Sequence, residues 1–218
     1  SLQDILQRHI SAHKTLATLP DKVAIHLNDT HPAIAVAELM RLLIDVHGIP
    51  FAEAWRITKG TIAYTNHTLL PEALESWPVP LFERLLPRHM QLVYAINAEV
   101  LKEARASGKF DGGQISRISL IGEDGDRRVR MGNLAFVGSH SINGVSGLHT
   151  DLMKETVFHD LHRLYPDRIN NKTNGITQRR WLFQSDAGLT GLIGSAIGDK
   201  FLDDVDRLKD LDKFADDA

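Results

Sequence analysis

Residues 22–45, KVAIHLNDTHPAIAVAELMRLLID, decide the fold class because they place a candidate strand directly before a candidate helix. Apolar and polar side chains alternate in KVAIHLN (22–28), a pattern typical of a β-strand. Pro32 suits the first turn of a helix, and apolar residues then recur at helical spacing over 32–47. A strand that leads straight into a helix is the building unit of a parallel α/β sheet.

The same alternation continues along the chain and extends this prediction to the whole molecule. TIAYT (61–65) predicts a second buried strand, and LAFVG (134–138) predicts a third. Helical patterns lie between them at 51–59 and at 88–106, and a further helix is predicted near 148–156. The predicted fold class is therefore α/β, a Rossmann-like parallel sheet flanked by many helices on both faces.

Smaller segments complete the predicted secondary structure. ISLIG and RRVRM flank the turn-forming residues 123–126, which predicts a hairpin. Pro71 and Glu72 predict the start of another helix, and NNKTNGI (170–176) is predicted to be irregular. An apolar residue at every third position over 202–214 predicts an amphipathic helix. Because helical patterns reach both chain ends, we expect an internal fragment of a longer protein.

The composition excludes several classes of function before any motif is considered. With 43% hydrophobic and 24% charged residues among 218, the chain is globular rather than disordered, collagenous or coiled-coil. A net charge of −3 gives no overall field to attract nucleic acid or an anionic membrane, so neither is an expected partner. The absence of cysteine excludes disulfides and thiolate metal sites and fits a cytoplasmic location.

Polar side chains follow each of the three predicted strands. Residues 29–31 (Asp-Thr-His) follow the first strand, 66–68 (Asn-His-Thr) follow the second, and 139–140 (Ser-His) and 143–144 (Asn-Gly) follow the third. Because ligands of doubly wound sheets bind beyond the carboxyl ends of the strands, we expect these residues at one rim. Neutral donors and acceptors of this kind suit sugar hydroxyls, so the residues predict a polar small-molecule site.

Other interpretations of these residues compete with ordinary structural roles. His26, Asp29 and His31 have a spacing that could ligate a metal ion, but His26 lies inside the strand, so we predict no metal site. Asp29 and Glu72 could form a glycosidase pair, although carboxylates near helix starts are more often caps. Residues 144–147 could hold an anion before a helix, or form a structural turn.

Four longer motifs carry a resemblance to a known family. They are HLNDTHPAIAVAELMRLLID (26–45), AYTNHTLLPEALESWPVPLFERLLPRHMQLVYAIN (63–97), FVGSHSINGVSGLH (136–149) and NKTNGITQRRWL (171–182). In this order they resemble the α-glucan phosphorylases, which comprise the glycogen, starch and maltodextrin phosphorylases. The resemblance runs almost the whole length of the chain, and runs this long and polar are highly specific.

The resemblance implies a fold, a reaction and a cofactor. It implies a two-domain glycosyltransferase fold of the GT-B type, in which residues 1–172 form the C-terminal part of the N-terminal domain. Residues 173–218 would then be the truncated start of the second domain. The implied reaction is phosphorolysis of α-1,4-glucan to glucose 1-phosphate with retention. Pyridoxal phosphate, bound as a Schiff base to a lysine, would contribute its phosphate as a proton relay.

The resemblance also assigns roles to single residues. It gives His67 of the TNHT motif a catalytic and substrate-binding role at the glucosyl unit, where its backbone carbonyl could stabilise developing charge. It gives Asn174 of KTNGI a contact to the hydroxymethyl group of the same glucosyl unit, and it makes Asp29 catalytic. The remaining assignments are His31 and Glu72 for the substrate and Trp181 for the cofactor.

One position of this sequence departs from the family pattern, and one segment of that pattern is expected after residue 218. Gln178 stands where the family typically has proline, which puts only the local turn in doubt. The Schiff-base lysine would lie after residue 218, so we predict that this chain alone binds no covalent pyridoxal phosphate and is inactive. For the intact enzyme we expect a cytoplasmic homodimer that acts on α-1,4-glucan and inorganic phosphate.

Three alternatives to a phosphorylase remain open at this point. The chain could be part of a nucleotide-sugar glycosyltransferase, which shares the fold and would not respond to inorganic phosphate. It could be a non-catalytic carbohydrate-binding remnant, which would bind maltooligosaccharides without turning them over. It could also be a purely structural fragment, which would melt cooperatively and bind no sugar.

Overall fold

The computed structural model describes residues 1–216 and divides into two compact units. The first unit comprises Ser1–Thr173, and the second begins at Asn174. Within residues 1–216, no helix is both long enough and apolar enough to cross a membrane.

The first unit alternates helices and strands along the chain. Its helices are α1 (Leu2–His13), α2 (Leu19–Lys22), α3 (Ala35–Arg41, continued by a π-helical turn at Leu42–Val46), α4 (Phe51–Thr61), α5 (Val79–Leu85), α6 (Pro87–Ala106), α7 (Gly112–Ile118), α8 (Met131–Val137), α9 (Gly147–Glu155) and α10 (His159–Leu164). Its strands are β1 (Ile25–Asn28), β2 (Ile62–Thr65), β3 (Ser76–Pro78), β4 (Ile121–Gly122), β5 (Arg128–Arg130), β6 (Ser141–Gly144) and β7 (Ile169–Asn171).

The strands form one parallel and one antiparallel sheet. The parallel sheet has the order β1-β2-β6-β7, and each of its strands is parallel to its neighbour. The antiparallel sheet has the order β3-β5-β4, and its β4–β5 pair is the predicted hairpin. The α/β class with a parallel sheet flanked by many helices is therefore confirmed.

The two faces of the parallel sheet have opposite character. Leu27, Tyr64, Ile142 and Ile169 are aligned across the four strands and are buried in the hydrophobic core. The other face carries an aligned polar row, which comprises Asn28, Thr65, Asn143 and Asn170. Its members are exposed or half-buried, so the sheet is apolar on one face and polar on the other.

The strand predicted at 134–138 is wrong. These residues belong to α8, which is buried at nearly every position, and the third strand of the sheet is β6 at Ser141–Gly144. A helix that is buried all round has no polar face, so its periodicity cannot be distinguished from that of a buried strand. The polar sequence of β6, SING, hid the strand.

Two other predictions need correction. Pro71 and Glu72 begin a single 3₁₀ turn (Pro71–Ala73) rather than a helix, because the chain becomes extended at residue 74. The stretch predicted to be irregular at 170–176 starts inside β7, which pairs with β6. Both segments are short, and neighbouring strands rather than local sequence set their conformation.

The regular elements of the second unit are all helices within its described part, and residues 174–177 precede them without regular structure. The unit comprises a π-helix at Arg179–Gln184, α11 at Ala187–Ile197, and 3₁₀ helices at Asp199–Leu202 and Val205–Phe214. The predicted helix over 202–214 therefore exists, but mainly as a 3₁₀ helix. Its apolar residues recur at every third position, which is the period of that helix type.

Candidate functional site

The carboxyl ends of β1, β2 and β6 meet at one rim, as the sequence predicts. The Asp29 amide donates to the Thr65 carbonyl oxygen at 2.9 Å, and the Asn66 amide donates to the Asn143 carbonyl oxygen at 3.0 Å. These bonds extend the strand ladder by one residue and bring the polar turns side by side. His140 does not belong here, since it precedes β6 and lies at the amino end of the sheet.

His67 lies on this rim with its side chain exposed and oriented by a neighbouring strand. Its ring Nε2 lies 2.7 Å from Asn28 Oδ1, so the ring nitrogen donates to the amide oxygen. This contact fixes the direction of the ring and leaves Nδ1 open to solvent or to a ligand. The β1 end therefore positions the residue to which the sequence assigns the central role.

Asp29 forms the turn that follows β1 in an uncommon backbone conformation. Its φ is +61°, in the left-handed region that residues other than glycine rarely adopt. Aspartate tolerates this region because its carboxylate bonds locally, and here Oδ1 accepts from the Thr30 amide at 2.7 Å. The turn therefore holds the Asp29 carboxylate against the backbone at the end of β1.

Glu75, which the sequence analysis missed, contacts two residues of this rim. Thr30 Oγ1 donates to its Oε2 at 2.6 Å, and His31 Nδ1 lies 3.5 Å from the same oxygen. Glu72, in contrast, is exposed on the 3₁₀ turn, and within residues 1–216 its carboxylate accepts no hydrogen bond. No local signal distinguishes Glu75 from Glu72, because its contact to Thr30 joins residues 45 positions apart.

The polar row on the open face of the sheet is internally hydrogen-bonded. Thr65 Oγ1 donates to Asn143 Oδ1 at 2.7 Å, and His26 Nε2 donates to Thr65 Oγ1. His26 is therefore occupied by a hydroxyl group rather than directed toward Asp29 and His31. The part of the chain that the structure describes contains no cluster of three or more His, Asp or Glu side chains suited to a metal ion.

A second hydrogen-bonded group lies behind the rim. Asn66 is buried, its Nδ2 donates to the Tyr64 hydroxyl at 3.0 Å, and its Oδ1 lies 2.9 Å from His149 Nε2. Burial, aided by the nearby His67, lowers the pKa of His149, and burial raises the pKa of Tyr64. Both side chains are thus held neutral. The sequence did not identify Tyr64 or His149 as site residues, because both lie within regular secondary structure.

The turn before α9 is built by its own side chains. The Ser146 side chain accepts from the His149 amide at 3.2 Å and so caps the helix. Gly144 is needed because a Cβ there would overlap with Thr150 Oγ1. Of the two interpretations of residues 144–147, the structural turn is the one that these contacts favour.

Asn174 and Trp181 lie in the second unit. Asn174 is exposed, and Trp181, on the π-helix, is 67% exposed beside Arg179 and Arg180. Trp181 therefore presents its indole ring to solvent within the described part of this unit. Gln178, at the position of the departure, donates to the Leu202 carbonyl oxygen at 3.3 Å and so joins the local turn to the following helix.

Comparison with known proteins identifies relatives over the whole chain. A family model described as carbohydrate phosphorylase matches residues 1–218. The chain is 50% identical to the glycogen phosphorylase of Synechocystis sp. over 216 residues, which cover 99% of this chain and 25% of the relative. It is 48% identical over 219 residues to the brain form of human glycogen phosphorylase, covering 97% and 26%.

A third relative shows the same extent of match. The liver form of glycogen phosphorylase from Ovis aries is 47% identical over 222 residues, which cover 98% of this chain and 26% of the relative. The chain thus spans about a quarter of the length of the curated relatives that it matches. Together with the parallel α/β sheet, these matches show that the chain belongs to the carbohydrate phosphorylase family, which has the GT-B glycosyltransferase fold.

Proposed function

We propose that this chain supplies the glucosyl-binding rim of an α-glucan phosphorylase, which cleaves α-1,4-glucan with inorganic phosphate to give glucose 1-phosphate. The observation that carries the proposal is His67, which projects from the joined ends of β1 and β2 with its ring oriented by Asn28 at 2.7 Å. An exposed, oriented donor among neutral amides and hydroxyls suits a sugar better than a phosphate alone.

In this proposal, His67 contacts the glucosyl unit directly. Its ring would bond to a sugar hydroxyl group, and its backbone carbonyl oxygen would stabilise positive charge that develops at the anomeric carbon in the transition state. Asp29 would add negative charge beside the glucosyl ring. His31 and Glu72 would complete the substrate contacts on this unit, and Asn174 would bind the hydroxymethyl group.

Trp181 is the residue that we propose for the cofactor, pyridoxal phosphate. Its exposed indole fits contact with a planar pyridine ring, and Arg179 and Arg180 supply positive charge beside it. When bound, the cofactor would provide a phosphate group for acid–base chemistry with the substrate phosphate. We propose that no lysine of this chain forms the Schiff base and that the chain alone is inactive.

The partners and location follow the same proposal. The intact enzyme would bind α-1,4-glucan and inorganic phosphate, form a homodimer and work in the cytoplasm, without nucleic-acid or membrane partners. Residues 1–172 would belong to its first domain and residues 173–218 to its second. The compactness of Ser1–Thr173 as one unit supports this boundary.

A chimeric enzyme tests the proposal directly. The matching segment of the Synechocystis glycogen phosphorylase, 50% identical over 216 residues, is replaced by this chain, and phosphorolysis of maltoheptaose is measured. We expect an active chimera in which His67→Ala lowers kcat/KM by about tenfold, because alanine removes the ring's hydrogen bond to the sugar but keeps the backbone carbonyl oxygen. The matched control is His140→Ala at the opposite end of the sheet, which should retain activity. Equal activity of the two variants would contradict the assigned role of His67.

A further inference from the structure

The side chains behind His67 form a hydrogen-bonded chain that the proposed reaction does not use. The Val145 amide donates to His149 Nδ1 at 3.5 Å, and His149 Nε2 lies 2.9 Å from Asn66 Oδ1. Asn66 Nδ2 in turn donates to the Tyr64 hydroxyl at 3.0 Å. This series of hydrogen bonds connects the loop after β6 with the loop after β2, which are two segments of the candidate rim.

Only one form of the imidazole satisfies all of these contacts. Because His149 Nδ1 accepts from a backbone amide, it cannot carry a proton, and the proton must lie on Nε2. That Nε2–H then donates to the amide oxygen of Asn66, which turns the amide nitrogen toward Tyr64. Every donor in this series then meets an acceptor. In the alternative tautomer, the Nδ1–H would face the Val145 N–H, and the lone pair on Nε2 would face Asn66 Oδ1.

Asn66 links these hydrogen bonds to His67, the next residue in the chain. Its side chain is fully buried between Tyr64 and His149, and its backbone amide is held by the Asn143 carbonyl oxygen at 3.0 Å. His67 is the next residue and is exposed, so its orientation depends on how firmly Asn66 is held.

We propose that His149 is a positioning residue of this site: as the Nε2–H tautomer it fixes the Asn66 amide, and through Asn66 it fixes the segment that carries His67. The role in sugar binding rests on the proposed function, whereas the coupling between His149, Asn66 and His67 does not. His149 itself touches no reacting atom in this proposal.

Long-range ¹H–¹⁵N NMR of the imidazole rings in the 218-residue chain tests the proposal without any ligand. We expect His149 as the Nε2–H tautomer at pH 7, and we expect His149→Ala to shift the ring resonances of His67. His149→Gln, which keeps a donor toward Asn66, should restore most of the native His67 resonances. His140→Gln is the matched control and should leave them unchanged. An Nδ1–H tautomer, or His67 resonances unaffected by His149→Ala, would overturn the proposal.

A second variant keeps the test decisive if His149→Ala does not fold. Asn66→Asp places a carboxylate where the His149 Nε2–H now meets a neutral oxygen, so the NMR titration midpoint of His149 should move to higher pH. An unchanged midpoint would show that Asn66 and His149 are not coupled and would overturn the proposal.

Binding of maltoheptaose then separates this inference from the proposed function. If the chain binds the sugar, we expect His149→Ala to weaken binding about tenfold, which corresponds to the net loss of about one hydrogen bond, and His149→Gln to weaken it less. Equal binding by all variants would overturn the positioning role. If no variant binds, the proposed sugar site on this chain fails, while the ring tautomer and the His67 resonances still decide the coupling.

Discussion

Asp29 shows how a single residue can be selected by backbone conformation and by charge together. Its φ of +61° excludes β-branched residues, and its Oδ1 contact to the Thr30 amide makes the left-handed turn tolerable. The turn sets the direction in which the chain leaves β1, so it also decides where His31 emerges. A substitution here therefore affects stability even before its effect on any ligand is considered.

Substitution of Asp29 separates these two contributions. Asp29→Asn keeps the local hydrogen bond and should change the free energy of unfolding by less than about 0.5 kcal/mol, whereas Asp29→Val should cost about 1–2 kcal/mol of backbone strain. Asp29→Gly is the control, because glycine adopts this φ without strain. Urea unfolding measures all three. If the valine variant is as stable as the asparagine variant, the turn is not strained.

Two half-buried histidines predict how stability depends on pH. Burial lowers the pKa of His149 and of His162 below the usual 6.5, so the unfolded state binds protons more readily than the folded state. Stability from these groups is complete above about pH 6.5 and falls as the pH falls toward the lowered pKa values. Thermal melts from pH 7.5 to pH 5 should show this decline. His162→Gln should reduce the slope, and the exposed His47→Gln should not; equal slopes would refute the assignment.

At the scale of elements, α8 is packed so tightly that one glycine decides its position. A Cβ at Gly138, where α8 ends, would lie 2.6 Å from Val36 Cγ2 on α3. Both residues are in the buried core, so neither helix can move away without opening a gap. The contact explains why the chain can turn from α8 into β6 within three residues and still keep α3 against the sheet.

Gly138→Ala tests this packing. We expect a loss of about 1–3 kcal/mol in the free energy of unfolding, the usual cost of an added methyl group in a well-packed core. Gly147→Ala is the matched control, because a Cβ at that helix start meets no atom within 4 Å. It should be neutral or slightly stabilising. Chemical denaturation of both variants compares them, and equal losses would show that the cause is not the contact with Val36.

The elements also show which parts of the fold the sequence can predict. β1 and β2 were predicted because their apolar residues alternate, and α6 was predicted because its apolar stripe continues over 20 residues. α8 and β6 were not, because the helix is apolar on every side and the strand, SING, has one apolar side chain. In both, tertiary burial rather than local pattern decides the structure.

At the scale of the whole molecule, the boundary between the two units is open to a direct test. Residues 171–177 are all exposed, and they connect β7 to the π-helix of the second unit. We therefore expect brief trypsin treatment to cut early after Lys172 and to leave the first unit as a protease-resistant core. Mass spectrometry identifies the products. Early cleavage within α6 or α9 instead would contradict the boundary.

The candidate site could be predicted only in outline from the chain. The turns after β1 and β2 were identified because parallel strands end at one edge, and this required no contact information. Asn143 was placed at the rim behind a strand predicted at 134–138, which is a helix, because β6 itself was not recognised. Glu75 and His149 could not be found in that way. Their roles depend on distances to Thr30 and Asn66, residues 45 and 83 positions away, and no local pattern encodes these contacts.

The polar row across the sheet has a consequence for how the protein acquires its structure. Thr65 on β2 and Asn143 on β6 are hydrogen-bonded to each other but lie 78 positions apart in the sequence. The two strands can therefore pair only after the long segment between them has been brought into a compact arrangement. Long-range pairings of this kind give a high contact order and slow refolding, on the millisecond-to-second scale or slower. The helices flanking the sheet should thus acquire protection from hydrogen exchange before the rim does. The rim would then be the last part of the first unit to form.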